Sequence, residues 1–223
     1  MSEHSSVSWL EEQVGILPDD VDVALVLRHA EREDIHPRTF GVHVPLTACG
    51  VTSAERLGAA LSRIRPQIRV AASPVPRCAS TARAILRGAG APEEVTVDWR
   101  LGDPGPFVVD EEISGALFLQ IGILDIVRHQ LTGDEPPAGM KSTPEGVHLL
   151  LGLAANDLGP HGRMNIHVTH DGILAVLVAY LYRLSVDEIS WPGYLDGLVL
   201  WRHAERLHFI WRGLTQGSYP FGG

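Results

Sequence analysis

Residues Asp22-Val-Ala-Leu-Val-Leu27 form a short, β-branched apolar run that stops at Arg28-His29-Ala30-Glu31-Arg32-Glu33-Asp34. A run this short with no polar alternation is the pattern of a strand buried on both faces. The abrupt onset of charge marks its end. Open α/β sheets bind ligands just past the carboxyl ends of their strands, so this cluster is a candidate site from the outset.

The same alternation of apolar strand and amphipathic helix continues along the chain. Thr52-Ser-Ala-Glu55 matches a capping box, and the helix it predicts runs to about Arg65 with Leu57, Leu61 and Ile64 on one face. Gln67 to Ala72 predicts a second strand, and Pro76 is placed to open a helix reaching Arg87. Val95 to Trp99 predicts a third strand, and Gly102-Asp-Pro-Gly-Pro106 must be loop. Residues 112–132 read as helix and Gly133 to Met140 as a connection. Ser142-Thr-Pro-Glu145 signals a further helix ahead of the apolar run from Val147. Asn165 to Thr169 is the next strand, Gly172 to Leu184 the helix after it, and the tail at about 196–213 a β-hairpin. These elements predict an α/β three-layer sandwich with a largely parallel central sheet and a C-terminal hairpin.

The 223 residues suit one domain with an elaborated insertion, and 45% hydrophobic with 20% charged residues excludes disorder as the main state. Lys+Arg 18 against Asp+Glu 27 gives a net charge of −9, which argues against nucleic acid as a partner. The apolar run Gly172 to Tyr182 is too short to span a bilayer, so no membrane partner is expected. The opening Met-Ser-Glu-His-Ser-Ser lacks the basic and then apolar pattern of a secretory signal, and Cys49 and Cys78 make no disulfide framework. A reduced, cytoplasmic setting is the expectation.

Three polar clusters each follow a predicted strand: Arg28-His29-Ala30-Glu31-Arg32, Ser73-Pro-Val-Pro-Arg77-Cys-Ala-Ser-Thr81-Ala82, and His167-Val-Thr-His170-Asp171. Parallel strand ends lie side by side, so three arginines and two histidines could converge in one crevice. Guanidinium groups match phosphate oxygens bidentately and keep their charge, which makes such a crevice a phosphate site in chemical terms. Bland readings stand beside this one. Asp171 suits the N-cap of the following helix, and Cys78 suits helix packing. Arg202-His203-Ala204-Glu205-Arg206 repeats the first cluster in the tail, where the flanking alternation makes it a solvated turn. His161, His167 and His170 invite a metal reading, but His167 and His170 are three apart on a strand and tend to opposite faces. The single lysine, Lys141, excludes a phosphate-binding P-loop, and no Gly-x-Ser-x-Gly elbow is present.

In order and spacing these clusters resemble the histidine phosphatase superfamily, which contains the phosphoglycerate mutases and the histidine acid phosphatases. The resemblance rests on Leu27-Arg28-His29, Leu46-Thr47-Ala48-Cys49-Gly50, the set Ser73, Arg77, Thr81 and Ala82, and a late strand ending at His170. It implies a phosphoglycerate mutase-like fold with its core at about 22–184 and a variable cap at about 102–140, and a metal-independent phosphomonoesterase, without cofactor, acting on a small phosphorylated substrate. His29 is then the nucleophile, while Arg28, Arg32, Arg77 and His170 hold the phosphate. Two acids answer to the family's proton donor. Asp171 follows the second histidine as in the acid phosphatase branch. Asp103, in Leu101-Gly102-Asp103, follows the third strand as in the mutase branch. Both stay open, Asp171 ahead of Asp103, with Asp110, Glu111 and Glu112 behind them. A phosphomutase and a non-catalytic phosphoester-binding module are the alternatives. Substrate choice falls to residues 102–140, where Phe107, Leu117 and Phe118 read more simply as packing than as an apolar substrate wall. Trp201, Phe209 and Trp211 in the tail are open to two readings, an edge hairpin or a homodimer contact.

Overall fold

The computed structural model describes residues 3–36, 39–156 and 158–220. Its strands are β1 (Val23–Arg28), β2 (Ile68–Ala72), β3 (Val95–Val97), β4 (Met164–Thr169), β5 (Gly197–His203), β6 (Arg206–Ile210) and β7 (Gly217–Pro220). Its helices are α1 (Glu3–Gly15), α2 (Ala48–Ile64), α3 (Pro76–Gly88), α4 (Glu111–Thr132), α5 (Thr143–Ala155) and α6 (Asp171–Tyr182). The strands make one sheet in the order β3-β2-β4-β1-β5-β6-β7. The first four run parallel, and β5, β6 and β7 add antiparallel beside β1. This is the largely parallel α/β sandwich that the alternation of elements predicts.

Strand β1 explains why its sequence is apolar throughout. Ala24 and Val26 enter one hydrophobic core, with Val147, Leu150, Leu174 and Leu177 of α5 and α6. Val23, Leu25 and Leu27 enter a second core on the opposite face, with residues of α1, α2 and α3. Successive side chains point to opposite faces, so a strand covered on both sides has no place for a polar residue. Parallel pairing with β4 brings Arg28 level with Thr169, and β2 pairs with β4 up to Ala72 and Val168. The three polar clusters therefore leave the sheet at one edge.

Several boundaries differ from the expectation for local physical reasons. Helix α2 opens at Ala48 because Thr47 is its N-cap, its hydroxyl accepting from Gly50 N at 2.9 Å and donating to Glu31 Oε2 at 2.9 Å. Thr52, read as a cap, lies inside the helix and donates to Ala48 O. Strand β3 stops at Val97, and the Asp98 carboxylate accepts from Arg100 N to open a 3-10 turn over Trp99–Leu101. Helix α4 is broken at Gly122, whose φ of 81° no helical residue adopts. Helix α1, outside the predicted elements, packs Val7, Leu10 and Val14 into the second core. The tail does form a hairpin, with Arg202–Arg206 at its turn, but it is no edge. It sits between β1 and β7, and Trp201, Phe209 and Trp211 are buried within the chain. That burial removes these three side chains as a dimer surface.

Helices α2 and α3 cross at backbone contact. A Cβ on Gly58 would stand 1.9 Å from Ile85 O, and one on Gly88 1.9 Å from Glu55 O. Since α3 carries Arg77, this crossing also sets the depth of the site. Gly58→Ala is expected to destabilise by at least about 2 kcal/mol through overpacking, lowering Tm by roughly 4–8 °C. At Gly152 in α5 the nearest atom to a Cβ is 3.8 Å away, so Gly152→Ala should leave Tm unchanged or raise it. Thermal melts of the two variants check both signs, and equal effects would show that the crossing is loose.

Candidate active site

The ends of β1, β2 and β4 supply the site. His29 N donates to Thr169 O at 3.0 Å and Ser73 N to Val168 O at 3.0 Å, so sheet bonding continues one residue past the strands and holds these backbones rigid. Arg77 follows from the first turn of α3, opened by Pro76. The nearby Thr81 hydroxyl donates to Arg77 O at 2.8 Å and accepts from Ala30 N at 3.1 Å, tying α3 to the segment after β1.

The hydrogen bonds assign the protons. Arg77 Nε lies 3.1 Å from His29 Nε2, and a guanidinium can only donate. Nε2 is therefore the bare nitrogen, and Nδ1 carries the proton that it donates to Ala30 O at 2.8 Å. His29 is buried, and this burial, followed by the neighbouring His170, holds its pKa well below the usual imidazole value of 6.5 despite the opposing bond to Ala30. Arg77 and Arg28 push the same way. His170 is arranged likewise. Arg77 Nη2 stands 3.4 Å from its Nδ1, and Nε2 donates to Ser73 Oγ at 3.1 Å. Burial, then the Arg77 charge, takes its pKa down to about 3. Two neutral imidazoles thus meet edge to face, ring centres 5.6 Å apart.

The arginines are fixed by groups outside the predicted clusters. Arg28 donates to Pro192 O at 2.7 Å, pairs with Asp171 Oδ2 at 2.9 Å and stacks over Tyr194, 4.3 Å from the ring centre. Arg77 Nη1 donates to Gly41 O at 2.9 Å, and Arg32 to Glu33 O at 2.8 Å. The Nε donors of Arg28 and Arg32 are buried without a hydrogen-bond partner among the described residues. Buried donors of this kind are costly unless an acceptor meets them, and an oxyanion between the arginines is the acceptor that the charge favours. Tyr194, Pro192 and Gly41 escaped the sequence reading because they lie in loops without a motif; each acts through a ring face or a backbone carbonyl.

The leading site residues come together, and Glu111 joins them, while Asp110 caps α4 and Glu112 lies outside the cavity. Arg28, His29, Arg32, Arg77, Asp103, His170 and Asp171 line one cavity of about 680 Å³. The two acids differ in their surroundings. Asp171 is not the N-cap of α6, since His170 takes that position. Its Oδ1 accepts from Gly172 N at 2.9 Å and its Oδ2 from Arg28, so each oxygen already has a donor. Asp103 lines the cavity with no hydrogen bond or ion pair among the described residues. Gly102 brings it there, because a Cβ on Gly102 would lie 2.5 Å from His170 Cδ2. Cys78 is buried behind His170, its thiol pushed up to about 12 by burial, which leaves it a packing group. Among the described residues no three His, Cys, Asp or Glu are grouped to hold a metal ion, and no helix is long and apolar enough to cross a membrane.

His167, on β4 three residues before His170, is buried without a hydrogen-bond partner on either nitrogen among the described residues, and burial takes its pKa from 6.5 to about 4. A depressed folded value means that the unfolded chain takes up the proton first. The resulting stability is complete above pH 6.5 and lost as pH falls through 4, a difference of roughly 3 kcal/mol. Between pH 7 and 4.5 the native chain should therefore lose roughly 5–10 °C more in Tm than His167→Leu. Parallel Tm curves would show that His167 titrates normally.

Comparison with known proteins agrees with this geometry. The family model described as "Histidine phosphatase superfamily (branch 1)" matches residues 24–104, which include Arg28, His29, Arg32, Arg77 and Asp103. No curated protein sequence matches. Among solved structures, a mycobacterial glucosyl-3-phosphoglycerate phosphatase is similar at 20% identity, TM-score 0.54, over 85% of this chain and 97% of that one. A phosphoserine phosphatase variant from Entamoeba histolytica is similar at 18%, TM-score 0.55, over 86% and 95%. The product of a Mycobacterium tuberculosis open reading frame is similar at 18%, TM-score 0.55, over 87% and 98%. At these identities the structures speak to the fold, and the fold is shared over nearly the whole of each. The matched segment carries the Arg-His end of β1 and the arginine of α3, so this part of the chain is similar to the histidine phosphatase superfamily.

Proposed function

We propose that the chain is a phosphomonoesterase working through a phosphohistidine on His29. The observation that carries this reading is the bare Nε2 of His29, neutral by burial and set between guanidinium groups. That nitrogen is unprotonated near neutral pH, its lone pair accepting from Arg77 Nε until a phosphate oxygen takes over the donor, and cations surround the position where a phosphoryl group would receive it. The relatives of similar fold include two whose names are those of phosphatases, which supports the same class of reaction.

In this reading the phosphate oxygens are held by Arg28, Arg32, Arg77 and His170. His29 Nε2 forms a bond to phosphorus as the ester P–O bond breaks, and the leaving alkoxide takes a proton from Asp103. Water then gives its proton to the Asp103 carboxylate, attacks phosphorus and breaks the P–N bond, returning His29 to its neutral form. Asp103 is the better donor because it has no other partner, whereas Asp171 is engaged in orienting Arg28.

Phosphate release from a panel of phosphomonoesters tests the core of the proposal. Release should persist in chelator, vanish in His29→Ala, and pass through an acid-labile phosphoenzyme in the native chain. Full activity of His29→Ala would refute it, and release that requires a bisphosphorylated primer would point to a mutase. Asp103→Asn should slow an alkyl ester by about 10²- to 10⁴-fold and an aryl ester with a good leaving group far less. Asp171→Asn, by loosening Arg28, should slow both esters alike. If Asp171→Asn were the variant that spared the aryl ester, the donor assignment would pass to Asp171.

A further inference from the structure

Beyond the arginines the cavity changes character. Its walls are Phe40, Phe107, Phe118, Leu119, Ile123 and Ile173. Among the described residues its only cations are Arg28, Arg32 and Arg77, the groups already assigned to one phosphate. The remaining charged lining is Asp103, Glu111 and Asp171, so a second phosphate or a carboxylate on the substrate would meet only like charge. Lys141 donates to Val108 O at 2.8 Å. The two lining hydroxyls are also committed, Thr39 donating to His36 O and Ser114 to Asp110 O. Apart from the Asp103 and Glu111 carboxylates, no uncommitted polar side chain among the described lining residues outside the phosphate cluster would meet the hydroxyls of a sugar.

The wall is more than ordinary packing. The segment of α4 before Gly122 turns Ser114, Gly115, Phe118 and Leu119 to the cavity, and Leu119 remains 46% exposed. A helix of this kind normally buries its apolar residues against the core. Here they face open space, and Phe40, itself 48% exposed, closes from the other side, its ring 3.6 Å from where a Cβ on Gly115 would lie. An apolar patch continuous with a cationic base is complementary to an amphiphile.

We propose that this cavity selects phosphomonoesters whose alcohol is apolar and carries no second anionic group, the phosphate seated on the arginines and the organic part between Phe40 and the first segment of α4. The inference rests on the phosphatase reading above and goes beyond it in naming the substrate class.

Straight-chain alkyl phosphates of two to eight carbons, below their micelle concentrations, test it because the leaving group's reactivity stays constant along the series. The kcat/KM should rise by up to about fourfold per methylene until the cavity is filled. Octyl phosphate should exceed phosphoserine, glucose 6-phosphate and 3-phosphoglycerate. Phe118→Asn should flatten the rise, lowering the octyl-to-ethyl ratio at least tenfold. Ile16→Asn, which alters a residue 71% exposed and outside the cavity, should keep the native slope. A flat series, a preference for any of the three polar esters, or an unchanged slope in Phe118→Asn would overturn the inference while phosphate release left the phosphatase reading standing. No release from any ester would overturn both.

Discussion

The hydrogen bond from Arg77 Nε to His29 Nε2 orders the whole site. It joins the end of β1 to the first turn of α3, and because arginine can only donate, it fixes the bare nitrogen of the imidazole on the arginine side. For the bond to form, α3 must lie at a set depth behind the sheet. That depth comes from the meeting of α2 and α3 at Gly58 and Gly88, and α2 is in turn started by Thr47, whose hydroxyl binds Glu31 just beyond β1. The geometry of one nitrogen lone pair is thus traceable to two glycines and a helix cap.

Electrostatics follows from the same closeness. The protein carries a net charge of −9, yet three arginines line one cavity. The buried His29 and the half-buried His170 beside them stay neutral, because each would lose hydration and face guanidinium repulsion on protonation. An imidazole kept neutral in this way keeps its lone pair, and the positive charge of the arginines stays available for an anion. Asp171 and Tyr194 hold Arg28 without filling the cavity, one by ion pairing and the other by offering a ring face.

Much of this was legible from local patterns. The uninterrupted apolar run before Arg28, the Pro at the start of α3 and the Ser142–Glu145 capping box each act within a few residues, so elements and strand ends could be read directly. Arg28, His29, Arg77 and His170 were visible because each stands at a fixed offset from such an end. Local patterns also misled. Thr52 has the spacing of a capping box, but the competing Thr47 finds Glu31 as a second partner and starts the helix earlier. Helix α1 was missed because only Val7, Leu10 and Val14 mark its buried side, and a stripe that sparse is convincing only against the core it meets.

The sequence by itself determined the alternation of strands and helices from β1 to β6 and the residue types gathered where the strands end, because hydrophobic period, caps and turns are properties of neighbouring residues. Tertiary structure decided which imidazole nitrogen is bare, which of Asp171 and Asp103 is already paired, and that Phe118 faces a cavity. Each of these depends on a partner from a distant part of the chain: Arg77 for His29, Arg28 for Asp171 and Phe40 across from α4. Proton positions, ion pairs and cavity walls are set by distances of a few ångströms between such partners, and only the packed fold fixes those distances.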